Sequence, residues 1–71
     1  MPERRLDLEV LHKNRHEDEF QVTGDPVDAG WLQARLRDWL AAHKWHAARW
    51  SEFELVARPA GHSRPLAKVR T

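Results

Sequence analysis

Hydrophobic and polar residues alternate along the first third of the chain. In RRLDLEVLHK (4–13), Leu6, Leu8 and Val10 point one way and Asp7 and Glu9 the other, the period-two pattern of a half-buried strand. EFQVTG (19–24) repeats it with Phe20 and Val22 inward. The polar stretch between them, HKNRHED (12–18), reads as a hairpin loop with Asn14 as its turn residue.

The period then changes. GDPVD reads as a helix start: Asp25 can cap, Pro26 suits the first helical position, and the Asp28 carboxylate meets free amides and the positive dipole end. From there Ala29, Leu32, Leu36, Trp39, Leu40, His43 and Ala47 share one face at helical spacing. No Gly or Pro interrupts residues 31–50. The pattern therefore predicts a single helix from Pro26 to about Ala48, roughly 35 Å long. A seven-residue strand covers only about 23 Å, so such a helix either breaks near His43 and Lys44 or overhangs the sheet beneath it; with no Gly or Pro to break it, the longer helix is favoured.

FELVAR (53–58) restores alternation, with Phe53, Leu55 and Ala57 on one side. PAGHSRP (59–65) reads as a loop and LAKVRT (66–71) as a closing strand. The expected fold is one α+β domain over residues 1–71, ordered β-β-α-β-β, with one long amphipathic helix on a mainly antiparallel four-stranded sheet. The chain has no internal repeat and no low-complexity segment.

Composition adds a constraint. A 71-residue chain, 41% hydrophobic and 32% charged, suits one compact domain whose burial barely exceeds the entropy of ordering it. Chains this small often gain stability from disulfides, metals or association. Without cysteine, disulfides are excluded and a reducing compartment is the natural setting. No apolar run approaches the ~20 residues of a membrane span, and the charged opening MPERRLDLEV is no signal peptide. A cytoplasmic location is expected. Nine Arg against three Lys, nine Ala, and neither Ile nor Tyr point to GC-rich codons, hence to a high-GC bacterium or its phage.

All four tryptophans fall within residues 31–50. Trp39 lies at the middle of the apolar face, and Trp50 returns to it. Trp31 and Trp45 lie off it, in a second stripe with Arg35, Asp38, Ala42 and Arg49. An arginine follows each of those two rings by four positions, so a guanidinium can lie over each, and Arg35 can pair with Asp38. Either these rings complete the core, Trp31 under the first hairpin and Trp45 over the sheet's edge, or part of the stripe is a contact surface. Exposed Trp flanked by Arg has the composition of an interface hot spot.

Other chemistries find weaker support. His12 and His16, and His43 and His46, are spaced for paired ligands, but neither pair has the further ligands that zinc takes; no metal or cofactor is expected. Thr23, Ser51 and Ser63 suggest no triad, Glu17, Asp18 and Glu19 read as a solvated turn, and the three glycines stand apart. No enzymatic activity is expected.

Charge is divided unevenly. Residues 1–30 carry eight acids and four bases, a net of −4; residues 31–71 carry three acids and eight bases, a net of +5. Either the acidic and basic strands lie side by side and pair, or the basic end meets an anionic partner. Arg58, Arg64, Lys68 and Arg70, with His62, would then form a basic hairpin able to follow a phosphate backbone. The favoured expectation is a non-enzymatic protein-interaction module, of the regulator or phage host-factor type, whose surface uses Trp31, Arg35, Trp45 and Arg49. The protruding helix end offers it a route to a homodimer. The alternative is a small nucleic-acid-binding protein using the basic hairpin.

Overall fold

Leu6, Leu8 and Val10 are wholly buried, as their alternation requires. In the computed structural model, which describes residues 4–71, they belong to β1 (Arg4–His12). There follow β2 (Arg15–Gly24), α1 (Ala29–Ala42), a short 3-10 helix (Ala47–Glu52), β3 (Phe53–Pro59) and β4 (Ala67–Val69). Residues 1–3, where the charged opening begins, lie outside the described residues. Strand order is β2-β1-β3-β4, every pairing antiparallel, so β2 and β4 are the edges.

The first hairpin is tighter than the polar run suggests. Lys13 and Asn14 take φ of 52° and 67°, both in the left-handed region that a two-residue hairpin turn of type I′ demands. Most of the predicted loop is therefore strand. The register slips beside Val10 and Leu11, which pair with Asp18 and His16 and leave Glu17 as the extra residue of a bulge.

Two corrections concern the helix. Its N-cap is Asp28, not Asp25: the Asp28 carboxylate accepts from the Trp31 amide at 2.9 Å, while Asp25 accepts from the Val27 amide at 3.0 Å and forms a turn ahead of the helix. The helix also ends at Ala42 rather than Ala48. There the Trp45 amide donates to the Leu40 carbonyl at 3.0 Å and the Lys44 amide to the Ala41 carbonyl at 3.1 Å, with Lys44 left-handed at φ 60°. This is a Schellman closure with lysine where glycine is usual.

The reversal brings the Trp45 ring back onto Phe53, 4.9 Å between centroids, and onto His12, 5.1 Å. Burying on the order of 100 Å² of indole is worth roughly 2–3 kcal/mol. That exceeds the roughly 1–2 kcal/mol for one left-handed non-glycine residue. A helix of fourteen residues is about 21 Å long, matched to the sheet, and nothing overhangs.

The core joins Leu32, Leu36, Trp39 and Leu40 of α1 to Leu6, Leu8, Val10, Phe53, Leu55, Ala57 and Val69 of the sheet. The helix lies mainly against β3 and β4, and the inner side chains of β2, Phe20 and Val22, are only half-buried. Among the described residues, no helix is long and apolar enough to cross a membrane.

Candidate functional site

Because α1 sits toward β3 and β4, an open groove of about 330 Å³ runs between it and β2. Phe20 and Val22 form its apolar floor; Trp39, Arg35, Asp38 and Asp18 are its walls and rim. A second depression of about 320 Å³ lies along the same strand, lined by Arg5, Gln21, Val22 and Thr23. Val22 borders both, so the free edge of β2 is flanked by concave surface. That edge is ten residues long, and among the described residues its outward backbone groups have no strand to pair with.

The groove is rigidly framed. Trp39 is a core residue, 8% exposed, yet its Nε1 donates to Asp18 Oδ2 at 2.8 Å. That bond, with a second from the Glu19 amide at 2.8 Å, holds the Asp18 carboxyl below its usual range. Stacked on Trp39 at 4.1 Å is the His43 ring. Arg35 Nη2 donates to Asp38 Oδ2 at 2.7 Å, and its guanidinium carbon lies 5.9 Å from the Trp31 centroid. Its Nε is buried with no hydrogen-bond partner among the described residues.

The predicted surface residues do not form one stripe, since that arrangement needed an unbroken helix. Trp31 and Arg35 lie on α1, where the Trp31 ring packs on Gly24 at the end of β2. Trp45 and Arg49 lie beyond the helix end, the guanidinium 6.0 Å from the ring. Arg49 also donates to Glu52 at 3.4 Å, and Trp50 Nε1 donates to the Trp45 carbonyl at 3.0 Å. Both off-face tryptophans are half-buried against the core. Of the four residues, only Arg35 lines the groove.

Two of the four bases of the predicted basic hairpin, Arg58 and Arg70, meet acids on the open face of the sheet. Arg58 Nη1 donates to Glu9 Oε1 at 2.6 Å, and Arg70 Nε lies 3.8 Å from Glu54 Oε2. Arg64 and Lys68 are exposed without an ion pair among the described residues. Beneath this lattice Val56 is 1% exposed, although it lies outside the main core. The same Glu9 accepts from His16 Nδ1 at 2.7 Å. That bond raises the His16 pKa and lowers that of Glu9, with Arg58 adding to the latter.

Sequence reasoning missed Asp18, Phe20 and Val22 as groove residues. The available signal was Asn14 in a two-residue turn, which carries β2 back through HED as strand. Half-burial of Phe20 and Val22 depends on where the helix lies, which alternation does not encode. Comparison with protein families, with curated proteins and with solved structures finds no match.

Proposed function

We propose that this chain is a protein-interaction domain that binds an extended segment of a partner at the free edge of β2, with the partner's inward side chains in the groove beside α1. The supporting observation is the coincidence of a ten-residue edge strand, a half-covered apolar face and concave surface along both its sides. In strand addition the backbone supplies affinity and alternate side-chain pockets supply specificity. Of the predicted surface residues, Arg35 borders the groove with the Trp31 ring 5.9 Å from its guanidinium, whereas Trp45 packs on the core and Arg49 is exposed beyond the helix end.

Nucleic acid is the less supported reading, because Arg58 and Arg70 already meet carboxylates and an anionic backbone would have to compete for them.

A photo-cross-linking residue placed at Gln21, exposed on β2, and separately at Ala41, exposed on α1, tests the proposal in lysate of the native host. A protein adduct from position 21 that Arg35→Ala abolishes, in a variant with an unchanged melting curve, is the expected result. An adduct from position 41 alone would place the interface elsewhere.

A further inference from the structure

Resting on the strand-addition reading above, the charge around β2 specifies its guest. Glu17, Asp18 and Glu19 are consecutive acids, and the structure gives each a different fate. Glu17 is the bulge residue and lies 3.9 Å from His12. Asp18 turns to Trp39. Glu19 is exposed and stands opposite Glu9 in the ladder.

Like charges directly opposed across strands are destabilising. Glu9 is compensated twice, by Arg58 and His16. Glu19 has no ion pair among the described residues; His16, which it also attracts, donates to Glu9 instead. The flank of Glu19 left open is the free edge of the strand. The bulge at Glu17 bounds the regular part of that edge, because bulges interrupt pairing, leaving residues 18–24 for an incoming strand.

We infer that β2 accepts a segment with a cationic residue opposite Glu19 and apolar residues opposite Phe20 and Val22. The cation answers the one uncompensated member of the Glu9–Glu19 pair, and the apolar side chains fill the groove against Trp39. A second copy of this chain is a poor occupant. Two β2 edges paired antiparallel must keep like faces together, and the register about Val22 that does so sets Glu19 opposite Asp25 of the other copy, acid to acid.

Two short synthetic peptides test this, one alternating Val and Arg, the other alternating Val and Glu, each followed by titration calorimetry and amide chemical-shift mapping. The Val–Arg peptide is expected to bind with shifts over residues 18–24 and at Arg35. The Val–Glu peptide should bind roughly two- to fivefold more weakly, the scale of a partly screened charge pair. Glu19→Lys should reverse that order. Equal affinity of both peptides at β2 would overturn the charge inference and leave strand addition standing. Shifts that avoid β2 with both peptides would remove the two together. A protein that dimerises through β2 in sedimentation, and is made monomeric by Val22→Glu, would make a second copy the occupant and overturn the inference.

Discussion

Gly24 shows how far a single missing side chain shapes this site. It closes β2 and is buried, and a Cβ built on it would clash with the Trp31 ring. The ring therefore occupies the volume that any other residue needs, an arrangement in which an aromatic covers glycine on an edge strand. Trp31 in turn lies 5.9 Å from the Arg35 guanidinium, so glycine, tryptophan and arginine act as one assembly at the groove's end. Gly24→Ala should displace the ring and cost about 1–3 kcal/mol, the usual range for overpacking. Thermal denaturation would show this as a lower midpoint, and tryptophan fluorescence would report a more solvated indole. A midpoint within error of the native protein would mean that Trp31 moves freely and that Arg35 is not held by it.

Among the elements, α1 is the one whose end the sequence leaves between two places, a break near His43 and Lys44 or a run to about Ala48, and the structure takes the first. Alternation in β1 and β3 and the apolar face of α1 were legible because burial on one side of a regular element leaves its period in the sequence. The face residues Leu32, Leu36, Trp39 and Leu40 are indeed core. The choice between those two ends was not legible, because the left-handed residue after the helix is Lys44 rather than glycine, and what favours its φ of 60° is the distant packing of Trp45 on Phe53 and His12. The same lack of local signal hid the N-cap: two aspartates flank Pro26, and only tertiary fit selects Asp28. The groove suffered most, since its floor is strand residues that a helix fails to cover. Lys44→Gly isolates the reversal. It should stabilise the domain by about 0.5–1 kcal/mol by relieving left-handed strain, seen as a rise in the urea midpoint without a change of slope. A drop would show that lysine's side chain contributes more there than its backbone costs.

At the scale of the whole molecule, the acidic first part and the basic last part meet, among the described residues, in one ion pair across the sheet, Glu9 with Arg58. Strand order puts β1 between β2 and β3, so Glu9 meets Arg58 on one side and His16 on the other, over the buried Val56. This arrangement makes stability depend on pH in both directions. His16 has its pKa raised above the ordinary 6.5 by its bond to Glu9, so its contribution is complete below that value and is lost as pH climbs through the folded pKa. Glu9 is lowered from 4.5, by His16 first and then Arg58; Glu52 is lowered from 4.5 by its bond from His12, and Asp18 from 3.8 by Trp39. Those contributions are present above the ordinary carboxylate values and disappear as acid protonates the folded groups. Stability should therefore peak between 4.5 and 6.5, the ordinary values of Glu9 and His16. Melting temperatures collected across that range and beyond it would show a dome. His16→Gln should flatten the alkaline side and leave an acid limb, because Asp18 and Glu52 keep their partners. If the alkaline limb survived in His16→Gln unchanged, the charges of the open face would not be what links the fold to pH, and the pairing of acidic with basic strands would be a matter of register alone.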